Sequence, residues 1–168
     1  FSLGDGMPSV ISMGIGLGVV GFPYFGHDLG GYQSALTVPT TEELWYRWVS
    51  FGALSPVMRT HHGRSAAENW DWESDEASTE HFRIWAVRHM QLLPYLYALA
   101  EEASTGDGLP MMRPMALGWP EWEPGWTATD QYLLGDRIVV APVREEGAVS
   151  RQVRLPEGTF YPLWGRRE

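Results

Sequence analysis

The chain has 168 residues, a formal net charge of −9 at pH 7 and no cysteine. This charge argues against a nucleic-acid-binding surface, which needs a basic stripe. The absence of cysteine excludes disulfides, thiolate nucleophiles and zinc–thiolate sites. Hydrophobic residues make up 44% of the chain, enough for a sizeable core. Because no run approaches the ~18 unbroken apolar residues of a membrane span, we expect a globular protein that binds neither nucleic acid nor membrane.

The two ends of the chain do not resemble natural termini. Phe1 stands where an initiator Met is expected, and no basic segment followed by an apolar segment marks a signal peptide. The last residues break off in what reads as a strand and a turn. We therefore expect a fragment of a longer protein. The sequence leaves its compartment open, with the cytoplasm favoured because no signal peptide is visible, and leaves its oligomeric state open too.

The first predicted elements lead into a glycine-rich corner. Residues 8–20 favour a helix packed closely against a sheet, and the apolar residues 21–25 favour a strand. The corner, residues 26–32, contains one acid, Asp28. Its glycines permit a sharp turn with positive φ, and the end of a strand is where α/β folds hold their ligands. Asp28 is therefore either a functional acid or a brace of the loop.

A second helix and strand repeat this pattern. Thr40 is the predicted N-cap, and Glu43 lies three residues later, as in a capping box. Residues 56–63 follow as a short strand that again ends in a polar, glycine-containing corner with Arg59 and His61. Since parallel strands bring their carboxyl ends to one edge, we expect Asp28, Arg59 and His61 on the same side of the sheet. The three side chains then line a site, or Arg59 and His61 form a buried ion pair with Asp28, or both hold.

The second half of the chain changes from helix to short β-runs. The longest predicted helix covers residues 79–104, with a kink at Pro94. Beyond Pro110 the runs are separated by turn signals, typical of an all-β module. The predicted strands cover residues 111–115, 131–134, 138–143, 152–155 and 159–164.

Several common site motifs are absent from the sequence. It has no phosphate-binding loop, dinucleotide fingerprint, H-E-x-x-H or G-x-S-x-G segment. His61 and His62 are adjacent, which is poor geometry for two ligands of one metal, so we expect no metal and no other cofactor. The remaining carboxylate, Arg, His and abundant Trp and Tyr fit a site for sugars. Glycoside hydrolysis in particular uses paired carboxylates together with groups that hydrogen-bond sugar hydroxyls.

An ordered set of motifs resembles glycoside hydrolase family 31, which includes α-glucosidases, α-xylosidases and sulfoquinovosidases. The resemblance covers nearly the whole chain. Its motifs are Gly26-x-Asp28-Leu29-Gly30-Gly31-Tyr32, Glu43-Leu44-x-x-Arg47-Trp48, Pro56-Val57-Met58-Arg59-Thr60-His61, Leu93-Pro94-Tyr95-Leu96-Tyr97, Pro110-Met111-Met112-Arg113-Pro114 and Tyr132-Leu133-Leu134-Gly135-Asp136-x-Ile138-Val139-Val140-Ala141-Pro142-Val143.

This resemblance implies an α/β fold. Residues 1–118 would form the C-terminal portion of a (β/α)8 barrel, with roughly its last two strands, and residues 119–168 the beginning of an all-β sandwich. It also implies a retaining mechanism with two aspartates. No segment matches the family's nucleophile motif, so the nucleophile and the acid/base are expected upstream of residue 1. Asp5 is a less favoured acid/base candidate, because it lies too close to the 26–32 loop.

The resemblance also implies roles for four residues. His61 matches a histidine that hydrogen-bonds the sugar in subsite −1, and Arg59 and Asp28 match positions lining the same pocket. Tyr32 matches a tyrosine that helps hold the sulfonate in sulfoquinovosidases, where many glucosidases carry Phe. Asn69-Trp70 also fits the sulfoquinovosidase branch, whereas His62 and Asp71 depart from it.

We therefore expect the parent protein to be a retaining α-glycosidase of terminal α-linked hexosides. An α-glucosidase is favoured over a sulfoquinovosidase. The isolated chain lacks the nucleophile segment, so the contrasting hypothesis is a non-catalytic carbohydrate-binding or structural piece. A partial barrel should also expose a sheet edge and an apolar face, so we expect the isolated chain to be poorly soluble.

Overall fold

The computed structural model describes residues 6–34, 38–63 and 66–165. The elements in chain order are α1 Met7–Val19, β1 Gly26–Asp28, α2 Glu42–Ala53, β2 Val57–Arg59, α3 Glu76–Gln91, α4 Leu93–Thr105, β3 Met112–Arg113, α5 Met115–Gly118, β4 Tyr132–Leu134 and β5 Ile138–Val140. Within these residues, no helix is both long and apolar enough to traverse a lipid bilayer. The predicted acid/base candidate Asp5 lies outside the described residues.

Strands β1 and β2 form a parallel pair, as the alternation of helices and strands predicted. The strand expected over residues 21–25 is wrong, because β1 begins only at Gly26. Residues 21 and 22 turn the chain away from the end of α1 instead: the Phe22 amide donates to the Leu17 carbonyl at 2.9 Å, and Gly21 has φ +95°. Pro23 has no N–H to give to a ladder, so this segment reaches the sheet as irregular chain.

Helix α2 begins one residue later than predicted. Its N-cap is Thr41, whose side-chain oxygen accepts from the Leu44 amide at 3.3 Å. The predicted cap, Thr40, instead donates its hydroxyl to the Gly30 carbonyl at 2.5 Å. The tryptophan-rich face of α2 packs into the core, with Trp45 and Trp48 buried. The hydroxyl of the predicted cap thus bonds to a residue ten positions earlier in the chain, and the neighbouring Thr41 caps the helix.

The long helix predicted over residues 79–104 is two helices, α3 and α4, which meet at Leu92. Pro94 lies in the first turn of α4, where its missing N–H costs no helical hydrogen bond. Helix α3 starts earlier than predicted, because Asp75 caps it by accepting from the Ser78 amide at 2.7 Å. The predicted kink therefore takes the form of a one-residue junction. The backbone of Leu92 stays helical, its amide donates to the Arg88 carbonyl at 3.2 Å, and its carbonyl accepts from the Leu96 amide at 2.9 Å.

Strands β3, β4 and β5 form an antiparallel sheet in that order. The strands predicted over residues 152–155 and 159–164 do not form in the described part of the chain. Arg154 instead bonds to the side chain of Gln131, the residue just before β4: Gln131 donates to the Arg154 carbonyl at 2.6 Å and accepts from the Arg154 amide at 3.1 Å. The Gln131 side chain thus bonds to the N–H and the C=O of Arg154, the two groups that would otherwise bond to a neighbouring strand.

One main hydrophobic core joins the helices to both sheets. Its largest fully buried side chains include Trp45, Tyr132, Phe51, Met7, Ile11 and Leu29. The Tyr132 hydroxyl donates to the Leu54 carbonyl at 2.8 Å, which ties β4 to the end of α2. Burial raises the pKa of Tyr132 well above its ordinary value, so this hydroxyl keeps its proton and remains a donor.

Candidate functional site

Asp28 and Arg59 meet at the carboxyl ends of the parallel pair. They are opposite each other in the register, and Arg59 Nε lies 2.8 Å from Asp28 Oδ1. The Arg59 side chain is 49% exposed and that of Asp28 21%. The predicted ion pair therefore forms, but it faces solvent and is not buried. An exposed pair adds at most ~1 kcal/mol to stability, so its main effect is to fix where Arg59 lies.

His61 continues this chain of contacts. Its Nδ1 lies 2.6 Å from Nη2 of Arg59. A guanidinium has no acceptor, so Nδ1 must be the accepting nitrogen. The neutral imidazole therefore carries its proton on Nε2, the nitrogen left to donate to a ligand. His61 is exposed, as a residue that contacts a soluble ligand has to be.

Tyr32 stands beside His61 at the end of the glycine-rich loop. The two rings meet edge-on, with centroids 5.0 Å apart and planes at 62°. Tyr32 is 46% exposed. The Gly63 amide donates to the Tyr32 carbonyl at 2.7 Å, which joins the loops that follow β1 and β2. The four side chains that the sequence singled out for sugar binding thus form one continuous group.

The glycine-rich loop has the tight backbone that its sequence predicted. Gly30 and Gly31 have φ of +79° and +90°, a region that side chains rarely enter. The turn closes through the Gly31 amide, which donates to the Asp28 carbonyl at 2.9 Å. Next to it, the Leu29 amide donates to the Arg59 carbonyl at 3.1 Å. These bonds keep Asp28 at the edge where Arg59 reaches it.

Thr40 connects this loop to the chain before α3. Besides its hydroxyl bond to Gly30, its backbone N–H donates to Asn69 Oδ1 at 2.9 Å. Its carbonyl accepts from the Trp70 amide, also at 2.9 Å. Asn69 and Trp70 fitted the sulfoquinovosidase branch in the sequence. In the structure, Asn69 is buried and supports the loop through Thr40.

His27 lies behind the site, on the face of β1 opposite to that of Asp28. Trp48 Nε1 donates to its Nδ1 at 2.9 Å, and Phe51 stacks on its ring at a centroid distance of 4.3 Å. Desolvation by burial lowers the pKa of His27 to about 3. Its Nε2 is buried and has no partner among the described residues. His27 is therefore a neutral residue of the core. Because side chains alternate between the two faces of a strand, the position of His27 next to Asp28 indicates that it points to the opposite face.

Across residues 6–34, 38–63 and 66–165, no group of three or more His, Asp or Glu side chains is arranged to hold a metal ion. The polar groups at the edge of β1 and β2 are a carboxylate, a guanidinium, an imidazole and a phenol. Together these groups offer both donors and acceptors of hydrogen bonds.

Comparison with known proteins assigns the chain to a family. The model of the glycosyl hydrolases family 31 TIM-barrel domain matches residues 2–99, and that of the family's C-terminal domain matches residues 108–168. The chain belongs to glycoside hydrolase family 31. The resemblance seen in the sequence motifs is confirmed, and the members of this family are glycoside hydrolases.

The family 31 chain is similar in sequence to enzymes of different named activities. It is 37% identical to the sulfoquinovosidase of Escherichia coli strain K12, over 98% of this chain and 24% of the relative. It is 33% identical to human neutral alpha-glucosidase AB, over 90% of this chain and 16% of the relative. The family 31 chain thus spans a quarter or less of the length of these relatives.

A solved structure has the same arrangement of elements. The Flavobacterium johnsoniae family 31 dextranase, complexed with glucose, superposes on the family 31 chain with a TM-score of 0.80 at 34% identity. The match covers 90% of this chain and 19% of the dextranase. The mixed α/β architecture described above is therefore one that family 31 enzymes share.

Proposed function

We propose that this chain forms one wall of subsite −1 in a retaining α-glycosidase that hydrolyses terminal α-linked hexosides, with α-glucosides as substrates. The observation that carries this proposal is the contact chain from Asp28 through Arg59 to His61, at the carboxyl ends of two neighbouring parallel strands. Active sites of (β/α)8 enzymes lie at that end of their strands.

In this proposal, His61 donates its Nε2–H to a hydroxyl of the bound sugar. Arg59 keeps the donor on Nε2 by occupying Nδ1, and Asp28 holds Arg59 in place. Hydrogen bonds to sugar hydroxyls that strengthen as the oxocarbenium-like transition state forms lower the barrier to hydrolysis. His61 is thus a binding residue, and Asp28 and Arg59 position it.

The two catalytic aspartates belong, in this proposal, to chain upstream of residue 1. Residues 1–118 form the C-terminal portion of the barrel, with β1 and β2 as two consecutive barrel strands, and residues 119–168 begin the β-sandwich. Although β3 at Met112–Arg113 lies within residues 1–118, it pairs with β4 of the second part, so the sheet of the second part extends across this boundary. The isolated 168 residues are then non-catalytic, and turnover of an aryl α-glucoside by them would contradict this assignment.

The full-length polypeptide provides the direct test. It is expected to hydrolyse 4-nitrophenyl α-glucoside and to release the sugar first as its α-anomer, which proton NMR resolves before mutarotation. Release of the β-anomer would overturn the retaining mechanism. A purified, folded protein that hydrolyses no α-hexoside would overturn the proposed function.

A sulfoquinovosidase is the second candidate, favoured by Tyr32. This tyrosine lies edge-on to His61 and is half exposed, so it is placed to contact the same ligand. The identity to the E. coli sulfoquinovosidase is 37%, above the 33% to the human alpha-glucosidase. The ratio of kcat/KM for 4-nitrophenyl α-sulfoquinovoside and 4-nitrophenyl α-glucoside decides between the two substrates.

A further inference from the structure

Gly63 touches Tyr32 through both its backbone and its missing side chain. Its amide donates to the Tyr32 carbonyl at 2.7 Å. A Cβ built on Gly63 would lie 2.5 Å from Cζ, 2.7 Å from Cε1 and 2.8 Å from the hydroxyl oxygen of Tyr32. Non-bonded carbon atoms prefer a separation of roughly 3.5–4.0 Å. The Tyr32 ring therefore occupies the space that any other residue at position 63 would need.

Glycine is required at position 63 because of the space beside it and not because of its backbone conformation. Among the described glycines, those with positive φ include Gly30 and Gly31 but not Gly63. An alanine at position 63 therefore keeps an ordinary backbone, and the nearest atoms that its Cβ meets all belong to the Tyr32 side chain. The atoms it meets are the outer end of a side chain that is 46% exposed. The ring then swings toward solvent or toward His61, so its orientation changes while the fold survives.

We propose that Gly63 is a positioning residue that holds Tyr32 edge-on to His61 and so sets which α-glycosides the site accepts. The Tyr32 ring borders the histidine proposed to bind the sugar. A displaced Tyr32 ring changes the space beside His61 and moves the phenolic hydroxyl. The kcat/KM values for neutral and for anionic pyranosides should therefore change by different factors. The substrate part of this proposal rests on the proposed function, but the coupling of Gly63 to Tyr32 does not.

A double-mutant cycle in the full-length polypeptide tests this proposal, using Gly63→Ala, Tyr32→Ala and the double variant. Gly63→Ala is expected to raise KM about fivefold or more, with kcat less affected, because it removes binding shared by ground and transition states. It should also change the ratio of kcat/KM for the α-sulfoquinovoside and the α-glucoside. In the Tyr32→Ala background, Gly63→Ala should change neither quantity by more than about twofold, since coupled residues are not additive.

Gly16 offers a matched control. It lies on α1, and a Cβ built on it meets no atom within 4 Å. Gly16→Ala is therefore expected to leave KM and the substrate ratio at their wild-type values. A Gly63→Ala variant with unchanged kinetics, or one whose full effect persists without Tyr32, would overturn the positioning role.

Thermal unfolding separates this proposal from the proposed function. Gly63→Ala should lower Tm in the wild-type background and not in the Tyr32→Ala background, whether or not the wild type hydrolyses either substrate. If Gly63→Ala alone fails to fold, the double variant decides: a folded double variant supports the contact, and an unfolded one overturns it. A wild type without turnover counts against the proposed function only.

Discussion

Asp28 and Arg59 stand opposite each other on adjacent parallel strands, and the Nε–Oδ1 bond between them is open to solvent. Stability gains little from such a pair, whereas the position of Arg59, and through it the tautomer of His61, depends on it. Substitutions in this pair are therefore expected to change activity more than stability.

Asp28→Asn removes the negative charge and keeps the size of the side chain. In the full-length polypeptide we expect kcat/KM to fall about tenfold or more, since a misplaced ligand-positioning group costs up to 10²-fold, while Tm stays nearly unchanged. Glu80→Gln is the matched control, because it breaks an exposed Arg83–Glu80 pair on α3. A fall in Tm for Asp28→Asn well beyond that of the control would make the pair structural.

His61→Ala removes the proposed sugar donor. We expect kcat/KM to fall by roughly 10²–10³, the typical loss for one preorganised donor. His61→Gln keeps an N–H donor near the same place and should recover part of the activity. Steady-state kinetics with an aryl α-hexoside measure both variants. A folded His61→Ala protein with near wild-type kcat/KM would show that this histidine does not bind the sugar.

His27 makes the stability of the fold depend on pH. Its pKa is lowered by burial to about 3 in the folded protein, from 6.5 when exposed. Between these values the unfolded chain binds the proton and the folded chain does not, so stability falls as pH drops from ~6.5 toward ~3, by at most about 1.4 kcal/mol per pH unit. Tm measured across this range should decline less steeply in His27→Phe. Parallel curves for the two proteins would contradict this origin.

The isolated 168 residues should associate in solution. Large apolar side chains are exposed on α1, its exit and the α3–α4 pair, including Val20, Phe22, Met90 and Tyr97. Exposed apolar patches of this kind drive association. Size-exclusion chromatography with light scattering is expected to show oligomers or aggregate. A clean monomer that unfolds cooperatively would mean that this surface is tolerated in water.

The sequence predicted the parts of the site that depend on chain order. Alternating helices and strands implied a parallel pair, and this alone brought Asp28 to the edge where Arg59 and His61 lie. What it missed depends on contacts between distant residues. The sequence around Thr40 and Thr41 does not show which of them caps α2. The difference arises because the Thr40 hydroxyl donates to the Gly30 carbonyl, which lies in another loop.

The same limit applies to the short strands and to Gly63. A run of apolar residues predicts burial, but residues 152–155 need a partner strand to become one, and the Gln131 side chain takes that place. A glycine in a sequence indicates that another group packs closely against the backbone, but it does not identify that group. Only the structure shows that Tyr32 fills the space beside Gly63.

Thr40 has a consequence for the motion of the site. Its hydroxyl holds the glycine-rich loop, while its backbone N–H and C=O hold Asn69 and Trp70. Loops normally open independently and exchange their amide hydrogens at separate rates. Here one residue spans both, so the amides of Thr40 and Trp70 should exchange with deuterium in a single concerted opening, and a ligand that orders one loop should slow exchange in the other.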